Sequence, residues 1–155
     1  MASPTPVTPP SPVTPVVPPP HRRKTITGSL SGQGSVTPIT NSKGTAFFDS
    51  SGTTTVLGSA TFYGFVPYFA NKRHAVRYAR GVGVLQDLSG DKIVVSFSGY
   101  DRDTGAPDFT FSVKGSVRGG TGNYAGAEGP FTGTGSLNSA TDTFSIQLTV
   151  KLAPT

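Results

Sequence analysis

The run TFSIQLTVKL near the C-terminus alternates apolar and polar residues without interruption. Its apolar members are Phe144, Ile146, Leu148, Val150 and Leu152. Because successive side chains of a β-strand point to opposite faces, this pattern predicts a strand with one buried face. Since no stretch of the chain shows a sustained 3.6-residue period, the sequence predicts an all-β fold.

Shorter runs of the same kind recur along the chain, each bounded by glycine, asparagine, aspartate or serine. The clearest are DKIVVSFSG at 91–99 and DFTFSVKG at 108–115. The other candidate strands lie at 25–34, 44–49, 54–66, 75–85 and 129–137. Together with the C-terminal run, these segments predict about eight strands.

The segments between the strands carry residues that favour hairpin turns. They are DSSG at 49–52, LSGD at 88–91, DTGAPD at 103–108 and NSATD at 138–142. Antiparallel strands joined in this way leave two exposed edges unless the sheet closes. Glycines inside the first, fourth and seventh strands permit the coiling that closure requires. We therefore predict a closed or nearly closed antiparallel barrel over residues 24–153.

The N-terminal segment differs in composition, because residues 1–20 hold nine of the 14 prolines. Proline has no amide hydrogen and a fixed φ, so this segment can form neither a helix nor a central strand. We predict that residues 1–23 are a disordered Pro/Thr-rich linker with polyproline II character. The PxxP spacing leaves a second interpretation open, a ligand for a proline-recognising groove.

Charge and composition argue against several classes of function. The net charge of +5 is small and scattered, without the basic stripe and stacking aromatics of nucleic-acid binders. The absence of cysteine excludes disulfides, thiolate metal sites and cysteine nucleophiles. No apolar run is long enough to predict a membrane span, and residues 1–20 lack the pattern of a secretory signal peptide. We also predict no cofactor.

The segment RGGTGNYAGAEG at 118–129 raises the question of phosphate binding. A P-loop needs a lysine and a following helix, but no lysine occurs between Gly115 and Lys151. The dinucleotide fingerprint needs a βαβ context that this sequence lacks. We therefore predict a structural corner between two strands, with one helical turn that directs Tyr124 and Ala127 inward.

This same segment resembles the glycine-rich signature of the dirigent and allene oxide cyclase-like β-barrel proteins. The matching residues are Gly119, Gly120, Thr121, Gly122, Tyr124, Ala127 and Gly129. The resemblance covers roughly residues 25–152 and is closest to uncharacterised exported bacterial members. It implies an eight-stranded barrel and, because the plant members are trimers, a homo-oligomer.

The sequence also departs from these proteins where their activities reside. The dirigent pair of aspartates is reduced to Asp49, and the dirigent disulfide cannot form without cysteine. The pocket glutamate of the cyclases has no clear counterpart. The resemblance therefore implies the fold without either activity.

Aromatic and basic residues are concentrated in YGFVPYFANKRHAVRYARG at 63–81. One interpretation is the mouth of a pocket for a small apolar ligand, with Tyr68, Arg73, Arg77 and Tyr78 as binding residues. The other is a long loop whose aromatic side chains cap the end of the barrel. His74, in the same segment, is interpreted as a solvated residue because no partner is evident.

A weak candidate for a metal site is DRDTGAPD, in which Asp101, Asp103 and Asp108 bring three carboxylates into one loop. Hard cations prefer such oxygen ligands, but the further ligands and the glutamate of an EF-hand loop are missing. The alternative is that these aspartates shape the turn through side chain to backbone hydrogen bonds.

These observations lead to two hypotheses about function. The first is a non-catalytic barrel module of an exported bacterial protein, which binds a partner or a small apolar ligand or has a structural role. The alternative is a cofactor-free isomerase or dirigent-like coupling guide, with Tyr63, Arg80 and Glu128 as candidate catalytic groups. A deep cavity with two or more buried ionisable groups would favour this alternative, whereas a lumen filled by Phe and Val would argue against it. The spacer and the resemblance favour an extracytoplasmic location.

Overall fold

The computed structural model describes residues 24–40, 43–70, 76–101 and 108–153. The predicted linker at 1–23 and most of the predicted turn at 103–108 therefore lie outside the described residues. The strands of the described chain are β1 Lys24–Thr40, β2 Lys43–Thr54, β3 Gly58–Ala70, β4 Val76–Asp87, β5 Lys92–Asp101, β6 Asp108–Gly120, β7 Gly129–Asn138 and β8 Thr143–Leu152. One short 3-10 helix, Gly122–Tyr124, lies between β6 and β7.

The strands form a single closed barrel in chain order, and each pairs antiparallel with the next. The first and last strands, β1 and β8, pair with each other and close the barrel. Their ladder runs from the pair Lys24 and Leu152 to the pair Gln33 and Thr143. The predicted all-β fold and closed eight-stranded barrel are confirmed. A closed sheet leaves no strand edge open to pairing with another chain.

One predicted turn is wrong, because DSSG at 49–52 lies inside β2 and the chain turns instead at residues 55–57. Ser50 is only 2% exposed, and its hydroxyl donates a 2.8 Å hydrogen bond to the carbonyl oxygen of Phe62 on β3. A serine that finds a buried acceptor in this way can occupy a strand interior. By contrast, the predicted turns at 88–91 and 138–142 are found in the structure.

The lumen of the barrel is filled by aromatic rings. Phe48 lies at the centre of this packing, and its ring centroid is 5.1 Å from those of Phe62 and Phe144 and 6.1 Å from that of Phe97. Phe131 packs 5.9 Å from both Phe62 and Phe97. The alternating residues predicted to face inward in β5 and β8 are buried in this core. Burial of these rings supplies much of the hydrophobic stabilisation.

Inward-facing glycines make room for the rings. A Cβ atom on Gly83 would lie 2.5 Å from the ring of Phe62, and one on Gly81 would lie 2.5 Å from the ring of Phe97. At Gly115 a Cβ atom would instead collide with the carbonyl oxygen of Ser96 on the neighbouring strand. Glycine is therefore required where strands coil closely past one another, as closure demands.

The barrel has two distinct ends. One end carries the connections β1–β2, β3–β4, β5–β6 and β7–β8, and we call it the hairpin end. The other carries Lys24, Leu152, the turns at 55–57 and 88–91, and the glycine-rich connection from β6 to β7, and we call it the corner end. The described parts of the segment at 63–81 therefore belong to β3 and β4 towards the hairpin end, opposite the glycine-rich corner.

Candidate functional site

The glycine-rich segment forms the predicted structural corner. It makes one 3-10 turn at Gly122–Tyr124, after which Ala127 is only 8% exposed and Tyr124 packs half-buried against the core. Gly122 has a φ of 57°, in the left-handed region that favours glycine. The segment thus covers the corner end of the lumen, as its pattern predicts.

Sequence reasoning did not identify Asp87 as the residue that anchors this corner. Its Oδ1 accepts hydrogen bonds from the backbone nitrogens of Ser89 and Asp91, both at 3.0 Å, and from the Ser89 hydroxyl at 2.7 Å. Its Oδ2 accepts a 3.2 Å hydrogen bond from the Tyr124 hydroxyl. The Ser89 hydroxyl, followed by the other donors, holds the pKa of the Asp87 carboxyl below its ordinary value. Burial, and then Asp87, raise the pKa of the Tyr124 phenol.

The lumen retains a small apolar cavity of about 80 Å³. Its lining includes Phe48, Phe62 and Phe97, and it extends towards the hairpin end, where Tyr68 and Tyr78 also contribute. Pockets that enclose small-molecule ligands usually measure about 300–1,000 Å³, so little space is left for a substrate.

Polar groups are scarce inside the barrel. Among the residues whose burial is described, the buried Ser, Thr and charged side chains are Ser50 and Thr54 alone, and each donates a hydrogen bond to a backbone carbonyl. No buried Asp, Glu, Lys, Arg or His is found in that part of the chain. The phenols of Tyr68 and Tyr78 are therefore the titratable groups that reach the cavity, and burial raises the pKa of Tyr68.

The three candidate catalytic residues do not come together. Tyr63 lies on the outer face of β3, where its hydroxyl donates a 3.0 Å hydrogen bond to Oε1 of Gln86. Arg80 is exposed in an irregular section of β4, between the paired residues Tyr78 and Gly81. Glu128 is exposed at the corner end, directly before β7. None of the three faces the lumen.

The candidate ligand-binding residues divide between two faces. Tyr68 and Tyr78 are register partners on β3 and β4, and both line the lumen cavity. Arg77 is exposed on the outer face of β4. Arg73 lies outside the described residues, as does His74. The structure therefore joins the two tyrosines and separates them from Arg77.

The candidate metal ligands lie at the hairpin end, where Asp101 ends β5 and Asp108 begins β6. Asp103 lies outside the described residues. Within 24–40, 43–70, 76–101 and 108–153, no group of three or more His, Cys, Asp or Glu residues is close enough together to hold a metal ion.

Three phenylalanines project from the outer face of β2 and β3, and two of them, Phe65 and Phe69, belong to the segment 63–81 for which one interpretation is a cap over the barrel end. Phe47 and Phe65 are each 45% exposed and Phe69 is 50% exposed. Phe47 pairs with Phe65 across the strands at a ring distance of 6.5 Å. The adjacent pair Phe47–Phe48 carried a signal for this, because only one of two neighbouring residues in a strand can face inward.

Basic residues surround these rings. Lys43 is the register partner of Phe69, and Phe69 in turn pairs with Arg77. Arg80 lies two residues along β4 from Val82, the register partner of Phe65. We call the surface formed by Lys43, Phe47, Phe65, Phe69, Arg77 and Arg80 the aromatic–basic face.

A second outer feature is a shallow groove of about 980 Å³ that crosses β5 to β8 and continues over β1 and β2. Its lining consists mainly of threonine, serine and glycine, with Tyr100, Arg77 and Lys114 at one side. Side chains of this kind are ordinary on the solvent face of a sheet, so the groove by itself indicates no particular ligand.

Comparisons with protein-family models, with curated proteins and with solved structures find no match to this chain. In the part of the chain that the structure describes, no helix has the length and apolar character needed to cross a membrane.

Proposed function

We propose that this chain is a non-catalytic β-barrel module that binds a partner through the outer face of its barrel. The observation that carries this proposal is the contrast between the two faces of β2 and β3. Phe48 and Phe62 close the lumen, while Phe47 and Phe65 stand half-exposed on the outside. The lumen thus has the character of a packed core, and the outer surface has the character of a binding site.

The lumen argues against catalysis. General acid–base chemistry needs a titratable side chain within hydrogen-bonding reach of the substrate. Tyr63, Arg80 and Glu128 lie on the outer surface or at the corner end, and the cavity measures only about 80 Å³. These three residues could therefore not act together on one substrate, as an isomerase or coupling guide would require.

The aromatic–basic face argues for binding. Aromatic residues and arginine are enriched at the centres of protein interaction surfaces, and contiguous exposed apolar side chains commonly mark such sites. Phe47 and Phe65 are in ring contact, so the exposed apolar surface is continuous across two strands. Binding of a partner that covers these rings would be favoured by the hydrophobic free energy of removing them from water.

A small apolar ligand in the lumen is the second candidate, and the tyrosines of the cavity favour it. Tyr68 and Tyr78 are the residues with polar side chains in an otherwise apolar lining, and such residues can orient a bound molecule. We further propose that the chain is an exported, homo-oligomeric relative of the dirigent and allene oxide cyclase-like barrels, on the strength of its glycine-rich corner.

Titration with apolar ligands of increasing size distinguishes the two candidates. Calorimetry with benzene, naphthalene and a long-chain fatty acid is expected to detect no binding of the two larger molecules, because the cavity is too small. Val76→Phe, which narrows the cavity, and Phe65→Ser, on the outer face, provide the matched pair. The proposal would be overturned if the wild type binds the fatty acid, Val76→Phe abolishes this binding and Phe65→Ser preserves it. That result would assign the function to the lumen.

A further inference from the structure

The chemistry of the outer surface also indicates which partner it fits. We infer that the aromatic–basic face docks on a lipid bilayer surface that carries anionic headgroups. This inference rests on the proposed function, since it takes the outer face as the binding surface. It names the class of partner and the role of each group on that face.

The apolar part of the face is extended along β3. Phe65 and Phe69 are four residues apart on the same side of the strand, and Phe47 joins them from β2. Each ring is about half exposed, so its inner edge is held by the sheet while its outer edge is free to enter another apolar phase. Aromatic rings anchored in this way are favoured at the interface between lipid headgroups and acyl chains.

The strands β3 and β4, which carry most of the face, are poor in acidic residues. No Asp or Glu occurs in the sequence between Asp49 and Asp87, which spans all of β3 and nearly all of β4. Asp49 lies on this outer face two residues along β2 from Phe47, and Asp101 on β5 is the register partner of Val76, the chain neighbour of Arg77. Lys43, Arg77 and Arg80 therefore give the face a positive potential, which complements an anionic membrane.

An irregularity of β4 places Arg80 on this face. Its φ is 58°, a left-handed conformation that glycine adopts freely and other residues adopt at a cost. The irregular pairing between Tyr78 and Gly81 sets this conformation and directs Arg80 outward. Two exposed turn residues, Val56 and Asp142, share this left-handed conformation, so the position of Arg80 rather than its φ supports the inference.

The shape of the face favours a bilayer over a peptide. Peptide segments bind in grooves or along strand edges, but a closed barrel has no edge. Phe47, Phe65 and Phe69 lie on the outer, convex side of the closed sheet, beside the shallow groove that Arg77 borders but not in its lining. A bilayer can deform to cover a convex aromatic surface, whereas a protein partner would need a groove of complementary shape.

Flotation of the full chain with lipid vesicles tests the inference. Vesicles of equal parts phosphatidylglycerol and phosphatidylcholine are expected to retain the protein at low salt, and pure phosphatidylcholine vesicles are not. The double variant Arg77→Gln/Arg80→Gln should bind about 30-fold more weakly, given the usual contribution of each basic residue. Phe47→Ser/Phe65→Ser should also weaken binding at least tenfold, since two anchoring rings are lost.

Matched controls separate the face from general effects. Lys114→Gln/Lys151→Gln removes two exposed charges from β6 and β8, and Leu88→Ser removes an exposed apolar side chain at the corner end. Both should bind like the wild type. Arg80→Gly should weaken binding while it maintains or raises the melting temperature, because glycine accommodates the left-handed backbone. This variant shows that weaker binding does not come from unfolding.

Other outcomes would overturn the inference in distinguishable ways. If the lysine control weakens binding as much as the arginine pair, or the double serine variant binds normally, vesicle binding is general charge attraction. A different result would be that vesicles do not bind, while polyglutamate binds and the substitutions at Arg77, Arg80 and Phe65 weaken its binding. The partner would then be an acidic polypeptide, and the proposed function of the outer face would survive. If neither binds and the fatty acid occupies the lumen, both proposals fail.

Discussion

Asp87 connects two segments that are distant in the sequence. It accepts hydrogen bonds within its own turn from Ser89 and Asp91, and it accepts one from Tyr124, 37 residues later. Because these donors favour the ionised carboxyl, the pKa of Asp87 is lowered in the folded chain. The position of a single carboxylate thus contributes to the closure of the corner end.

The lowered pKa of Asp87 predicts how stability depends on acid. A group whose folded pKa is depressed contributes stability above its ordinary pKa of about 3.9 and loses it as the pH falls through the folded value. The wild type should therefore lose more stability than Asp87→Asn between about pH 5 and about pH 2. Thermal unfolding across this range measures the difference, and Asp142→Asn, in an exposed turn, controls for the loss of one charge. Parallel pH curves for the wild type and Asp87→Asn would show that these hydrogen bonds do not favour the charged form.

The glycine-rich corner was correctly predicted, but its glycines are needed for two different physical reasons. Gly122 has the left-handed φ that its surroundings require, and a Cβ atom there would collide with the carboxylate of Asp91. Gly120 is not among the glycines with positive φ, but a Cβ atom on it would meet the carbonyl oxygens of Tyr124 and Lys92. One glycine is needed for its backbone angles and the other for close approach.

Substitution at Gly122 tests the corner. Gly122→Val should destabilise the fold by about 1–3 kcal/mol, because a β-branched residue is strained in the left-handed region. Chemical denaturation measures this loss. Ala125→Val is the matched control, since Ala125 is exposed and has an ordinary φ of −56°. Equal stability of the two valine variants would contradict the structural role of Gly122.

At the scale of the whole molecule, the eight described strands close the barrel by pairing among themselves. β1 begins at Lys24 and pairs with the last strand from that residue onward, so the sheet closes without residues 1–23. The core is formed by inward-facing side chains of all eight strands and by Ala127 in the corner.

Removal of residues 1–20 should leave the melting temperature nearly unchanged. A proline-rich segment with few apolar side chains to bury contributes little to a hydrophobic core. Differential scanning calorimetry of the truncated and full chains makes the comparison. A fall of many degrees would mean that the segment packs on the barrel and is not a linker.

The sequence by itself determined the all-β class, the inward faces of β5 and β8 and the need for closure. These properties depend on local alternation: side chains of TFSIQLTVKL can only divide between two faces, and inward glycines such as Gly83 leave room for large rings nearby. The hairpin connections then restrict the order of the strands, because neighbouring strands joined by short turns pair with one another.

Only the tertiary structure decided which residues meet across strands. The register of the strands places Phe48 in the lumen and Phe47 on the surface. DSSG is part of a strand in which the Ser50 hydroxyl donates a hydrogen bond to the carbonyl oxygen of Phe62. The tertiary structure also brings the Tyr124 hydroxyl to the carboxylate of Asp87. It also separated Tyr63, Arg80 and Glu128, which sequence reasoning grouped by chemistry alone. The physical reason is that alternation is a property of each strand, whereas register and closure depend on hydrogen bonds and packing between residues distant in the chain.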